Sequence, residues 1–473
     1  MSDPLTCSNP RWYPTYHLAA PGGWINDPNG LCYFHGRYHA FYQHHPYSPQ
    51  WGPMHWGHAT SADLINWRHE PIALAPGAPG EDDANGVWSG SAIEHEGTLY
   101  AFYTGNRWAN GVDDTEGKYQ TQMLATSKDG IHFEKQGTVI APVMADARDP
   151  KVFRFGERFY LTIGADVDGR GQVLLYSSTD LRNWSEDGTL FEDPNQNVHM
   201  IECPDFFQLG EKWVLLYGPM VKTPVRTGYS LRNGHNAGYV VGTWTPGERF
   251  TPETEYRPID WGHHFYAPQT LLSPEGRRIA FGWMGEFANP LATQEDGWSG
   301  QLSIPRELSL HDDLTMALTP APETAAAFTK AETSSFELRV GERATVGTFG
   351  PANLVVSIDT DKEVPLQVPT CEQVVLEFAR GEAEPTRLVA DTQAGRLHLV
   401  YGRGNGAGRG YRSCPWTPGQ ALNIYTDRGS IEVFVGDTTD TLSSLDFAGE
   451  GERTLTLEAV AGPADVTVGL RRA

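Results

Sequence analysis

The chain is poor in cysteine. Cys7, Cys32, Cys203, Cys371 and Cys414 are the only five among 473 residues. Their number is odd, their spacing is scattered and no CxxC pair occurs, which argues against a disulfide framework and a cysteine-ligated zinc site. Positive charge is also scarce. Lys and Arg total 36 against 59 Asp and Glu, a formal net charge of −23, and so acidic a chain disfavours nucleic acid and other polyanions as partners. No run of 18 apolar residues occurs, and the first residues, "MSDPLTCSNPRWYPTYHLAAPGG", show neither a basic nor an apolar leader region. The expectation is a cytoplasmic protein with no membrane partner. No confident amphipathic helix can be read through residue 310.

Glycine (51), proline (33) and tryptophan (14) are plentiful, and aromatics make up 11% of the chain. That composition suits short strands joined by tight turns. It also suits a site for a sugar, because aromatic faces pack on the apolar faces of sugar rings. A glycine followed by a strand recurs five times: "GRYHAFYQ" at Gly36, "GTLYAFYTG" at Gly97, "GERFYLTIG" at Gly156, "GEKWVLLYG" at Gly210 and "GRRIAFGWM" at Gly276, about 55 to 65 residues apart. Each copy follows an alternating or apolar run and reads as a hairpin. Behind three of them, "SADLINW" (61–67), "SKDGIHF" (127–133) and "SSTDLRNW" (177–184) put an Asp-containing turn before an aromatic. Five such units of about four strands predict an all-β fold that begins with a five-bladed β-propeller.

The stretch "WINDPNG" (24–30) is a strong turn signal with an acid inside it. Counting back from each repeat glycine brings Asp27, Ser89, Asp149, Glu202 and the segment 266–269 to corresponding places, near the start of each first strand. In a propeller the first strands line a central channel and run in one sense, so Asp27, Asp149 and Glu202 should meet at one mouth. Three carboxylates in one place raise one another's pKa and cost stability, which points to chemistry rather than support. Paired carboxylates in an aromatic pocket suit glycoside hydrolysis. Arg148 should keep its neighbour Asp149 ionised. Glu202, between Ile201 and Cys203-Pro204, should have a raised pKa and serve as general acid. Local sequence does not choose between Asp27 and Asp149 as nucleophile.

The chain resembles glycoside hydrolase family 32, the invertase and β-fructofuranosidase family. The resemblance rests on "WINDPNG", "FYQHHPYSPQWGPMHWGHATSADLINW", "WSGSA", "FYTG", "RDPKVF", "ECPDFF", "FYAPQ", "GWM" and "SIPREL", in order from residue 11 to 310, with "YTDRGSIEVFVGD" (425–437) similar to the family's sandwich strands. It implies release of terminal β-fructofuranosyl groups from sucrose and short fructo-oligosaccharides with retention. Asp27 would then be nucleophile, Glu202 acid/base and Asp149 transition-state stabiliser. Nucleophile and acid would lie about 5–5.5 Å apart. The same resemblance suggests that Asn26, Gln43, Trp51, Trp88, Ser89 and Arg148 hold the fructose, with Tyr266 and Trp283 as further candidates. Where family members often carry Asp before "FYA", this chain has His264, near the expected mouth, which bears on the leaving group. Fructosyl transfer, hydrolysis of levan or inulin, an inverting arabinan-type reaction and a binding-only scaffold are the competing readings. The last would be expected to lack one of the three acids.

No cofactor or metal is called for. His55 and His58 sit in a histidine-rich segment, but strand periodicity scatters its side chains over both faces. Cys203 reads as a small buried residue. The domains are expected at 1–318 (propeller), 319–335 (an Ala, Thr and Pro-rich linker) and 336–473 (a sandwich of eight to ten antiparallel strands). The sandwich would support the propeller, with a homo-oligomer contact as a further use.

Overall fold

The computed structural model describes residues 3–141, 146–225, 228–360, 373–402 and 410–473. Strands dominate, and the described helices are the short 3-10 turns Asp114–Glu116, Ala292–Asp296 and Pro322–Ala327. Between Gly23 and Pro320 the strands form five antiparallel-paired sheets in sequence order. Their first strands are Gly23–Phe34, Val87–His95, Ala147–Phe155, Val198–Leu209 and Tyr266–Leu272. Each of these touches the next, and the fifth touches the first, so the five sheets close into the ring a five-bladed propeller requires. Trp298–Ser299 adds a parallel pairing to Gly23-Trp24 and ties the end of the ring to its beginning.

The repeat glycines are explained by their turns. Phe34 pairs with Arg37 and His95 with Thr98, leaving the two-residue loops His35-Gly36 and Glu96-Gly97 with positive φ at both positions. Such loops match the right-handed twist of the strands they join. The Asp turns behave similarly: Asp63, Asp129 and Asp180 each accept two successive backbone N–H groups.

From Glu332 onward, twelve described strands form two six-stranded antiparallel sheets around one apolar core. That is more than the eight to ten read from sequence. The segment 319–335 holds the last residues of Met316–Pro320, a 3-10 turn and the start of Glu332–Leu338. Cys371 lies outside the described residues, and Cys7, Cys32, Cys203 and Cys414 are free thiols.

Candidate active site

Every inner strand breaks its pairing at the same level. The register shifts after Ile25, Trp88, Arg148, Glu202 and Tyr266. These are β-bulges, which bend a strand and re-aim its side chains. In the last three sheets the bulge is an Xaa-Pro pair: Asp149-Pro150, Cys203-Pro204 and Ala267-Pro268. Asp149, Cys203 and Ala267 have φ of 66°, 48° and 47°. Left-handed backbone at a non-glycine residue is strained and persists only where its surroundings impose it.

The bulges correct the counting from sequence by one residue. Glu202 corresponds to Arg148 and Tyr266, while Cys203 is the counterpart of Asp149. Side chains at matching positions touch across the sheets. Arg148 Nη2 donates to Glu202 Oε1 at 2.7 Å, and the Tyr266 hydroxyl donates to Glu202 Oε2. Cys203 N–H donates to Asp149 Oδ2 at 2.9 Å, and Cys203 Sγ lies 3.5 Å from Asp27 Oδ2 and 3.6 Å from Asp149 Oδ2. The strand behind must be slim here. Gly218 pairs with Glu202, and a Cβ there would stand 2.6 Å from the Tyr266 hydroxyl.

The acids thus meet at one mouth, in a pocket of about 210 Å³ lined by Asn26, Asp27, Gln43, Trp51, Trp88, Ser89, Arg148, Asp149 and Glu202. Asp27 is oriented by Ser89 Oγ (2.6 Å) and Asn26 Nδ2 (3.1 Å), and Asn26 accepts from Trp24 Nε1. Gln43 is anchored to the Val87 carbonyl. Trp51 is 42% exposed at the rim and meets Trp88 edge-on. Tyr266 and Trp283 stand behind the wall. Tyr266 acts through Glu202, and Trp283 packs on Phe287 and Trp24.

Met54, Lys118, His235 and Phe287 complete the lining and were not found from sequence. They come from loops or outer strands; Met54 falls inside the quoted stretch 41–67, and the other three lie in no quoted motif. Lys118 Nζ lies 2.7 Å from Asp146 Oδ1, which also accepts from Arg148. His264 does not line this pocket but an adjoining one, which shares His235 and Phe287 with it. It is buried, its backbone N–H bonds to Ser443 O, and its ring meets Tyr401 and Leu445 of the second region. His55 and His58 are likewise buried. His55 bonds the Pro53 carbonyl, and His58 faces His39 at 3.0 Å. Burial pushes His58 down to about 2.

The electrostatics reverse the expected order. Burial pushes Asp149 up to about 7: Arg148 opposes the shift, while Glu202 and Asp27 add to it. Burial also raises Asp27, against the hydrogen bonds from Ser89 and Asn26. Glu202, equally desolvated, is pulled below the ordinary carboxyl range by the Arg148 guanidinium, with His235 and Tyr266 helping. Arg148 adjoins Asp149 in sequence, yet its long side chain delivers its charge to Glu202 and Asp146. In the unliganded site, Asp149 is the acid pushed furthest towards its protonated form, within a cluster that titrates as a coupled unit.

Residues 17–320 match the Glycosyl hydrolases family 32 N-terminal domain. An Escherichia coli sucrose-6-phosphate hydrolase is 40% identical over 458 residues, covering 96% of this chain and 93% of its own. An Escherichia coli raffinose invertase is 40% identical over 466 residues, covering 97% and 94%. Among solved structures, the Bombyx mori GH32 beta-fructofuranosidase superposes with a TM-score of 0.84 at 31% identity, covering 98% of this chain and 94% of that one. Ring, acid pocket and relatives converge on one conclusion: the chain belongs to glycosyl hydrolase family 32.

Proposed function

We propose that this pocket releases terminal non-reducing β-fructofuranosyl groups from sucrose and short fructo-oligosaccharides, with retention of configuration. The observation that carries the reading is the meeting of Asp27, Asp149 and Glu202 in one pocket, with Arg148 bonded to Glu202 and with Trp51 and Trp88 in the wall. Asp27 attacks the anomeric carbon. The donors Ser89 and Asn26 fix its orientation without neutralising it. Glu202, the most open of the three acids, faces the mouth through which the leaving sugar must pass. It gives its proton to the glycosidic oxygen, then takes one from the water that cleaves the fructosyl-enzyme. Asp149, buried and held by Cys203 N–H, binds fructose hydroxyls. A sugar seated against Arg148 weakens its pair with Glu202, and the cluster proton then moves from Asp149 towards Glu202. The same reading takes the ring, residues 1–318, as the catalytic unit, 319–335 as linker and 336–473 as support.

One lining residue favours a second substrate. Lys118 puts an ammonium on the pocket wall, where a phosphate on the leaving sugar would find a cation, and several relatives are named sucrose-6-phosphate hydrolases. The test is a product time course on sucrose, sucrose 6-phosphate, 1-kestose, inulin and levan. Rapid free fructose from the small substrates is expected. A rate on sucrose 6-phosphate that exceeds the rate on sucrose, and that Lys118→Ala removes, would select the phosphorylated substrate. No fructose from any of the five would overturn the assignment.

A further inference from the structure

The five inner strands have two ends, and the catalytic pocket occupies one. Below the bulges the same strands enclose a second cavity of about 590 Å³, within the size range of small-molecule sites. Asp27 and Tyr33 are six residues apart on one strand. At about 3.3 Å per residue the two openings are therefore roughly 20 Å apart, at opposite ends of the ring.

The charges in this second cavity do not cancel. Lys151 is buried, with Nζ 2.9 Å from Asp205 Oδ2 and 2.7 Å from the Thr270 carbonyl. That pair is closed. Arg278 is left over. Its guanidinium lies 4.7 Å over the Phe207 ring, and Nη1 reaches Thr270 Oγ1 at 3.5 Å. Its Nε is buried without a hydrogen-bond partner, as is Asp205 Oδ1. Among the described residues no carboxylate forms a salt bridge with it, and burial drives its pKa below the ordinary arginine value. Arg278 is half-buried, and a partly desolvated cation without a carboxylate partner gains from an anion brought to it. The rim is mixed: Tyr33 and Leu272, among the few large exposed hydrophobic side chains of the chain, border the opening with exposed Glu94, Arg154 and Gln208.

We propose that this opposite mouth is a second binding site, for a small amphipathic carboxylate whose oxygens pair with Arg278 and whose flat apolar body lies against Tyr33 and Leu272. Lys151, Arg154 and Arg278 against Glu94 and Asp205 leave the lining one positive charge in excess, which matches a monoanion, and a planar guanidinium matches a carboxylate.

The probe is 2-naphthoate, titrated calorimetrically into the full chain, with neutral 2-naphthalenemethanol as its uncharged counterpart. One naphthoate site per chain is expected, with the alcohol at least about tenfold weaker. Arg278→Met should weaken naphthoate by about tenfold or more and leave sucrose turnover unchanged. Leu272→Glu, at an exposed position that tolerates substitution, should also weaken it by placing a like charge at the rim. Trp51→Ala, at the catalytic mouth, should not alter it. Absence of binding, equal binding of the alcohol, indifference to both Arg278→Met and Leu272→Glu, or loss of binding in Trp51→Ala would each overturn the proposal.

Discussion

Two buried clusters in this molecule each hold three carboxylates, and they behave in opposite ways. At the contact between ring and sandwich, Asp260, Asp427 and Glu432 surround two cations. Arg306 bonds Asp260 at 3.0 Å and Glu432 at 2.6 Å; His17 bonds Asp427 at 2.9 Å and Glu432 at 2.8 Å. Arg306 is also sandwiched between the rings of Phe265 and Phe434. Burial alone would discharge His17, but its two acids lift it to about 9. Burial would raise Asp427, but His17 and Thr15 hold it at about 2. At the channel mouth Arg148 bonds Glu202 and Asp146, no cation forms a salt bridge with Asp27 or Asp149 among the described residues, and Asp149 rises to about 7. With every acid bonded to a cation, the cluster fastens two regions together. Where Asp27 and Asp149 lack a bonded cation, burial favours a proton on the cluster near neutral pH.

Removing Asp27, the proposed nucleophile, should have the largest effect. Asp27→Asn should lower kcat on sucrose by about 10⁴-fold or more, with thermal unfolding unchanged or delayed because a strained charge has gone. On the other side of the comparison, Arg306→Met leaves Glu432 and Asp260 buried without their shared cation. It should cost about 3–5 kcal/mol in denaturant unfolding. If Arg306→Met unfolds like the wild type, the balanced network is not what joins the regions.

Glu202→Gln should cost about 10²–10³-fold on sucrose, whose leaving oxygen needs a proton, and clearly less on an aryl fructoside, whose leaving group does not. Equal losses on both substrates would remove Glu202 from the acid role.

The smallest effect is a pH slope. The folded pKa of His17, about 9, exceeds its unfolded value of about 6.5, so the folded state holds the extra proton. Its contribution is complete below about pH 6.5 and is lost as pH rises through 9. Stability should fall across that window in the wild type, and less steeply in His17→Gln.

Much of the ring was legible because its turns are written in short-range chemistry. The glycine repeat dictates tight loops with positive φ, and the Asp turns recur behind it. Convergence of the three acids followed from the topology those loops imply. What failed was finer than a repeat. The bulges shift the register by one, so Glu202 pairs in space with Arg148 and Tyr266, and Cys203 takes the place an acid was expected to share. Arg148 was credited to its chain neighbour, although a guanidinium on a long side chain acts where its tip lies. Lys118, His235 and Phe287 reach the pocket from outside the inner strands, and His264 turns to the sandwich. No local pattern records such long-range placements.

The most direct test of the contrast between the clusters is an infrared titration of carboxyl protonation in the unliganded chain, from pH 5.5 to 8.5. The account predicts a protonated-carboxyl band in the wild type that fades through about pH 7, is missing in Asp149→Asn and persists in Glu432→Gln. A band that survives in Asp149→Asn, or that vanishes in Glu432→Gln, would mean that the neutral-pH proton does not reside at the channel mouth.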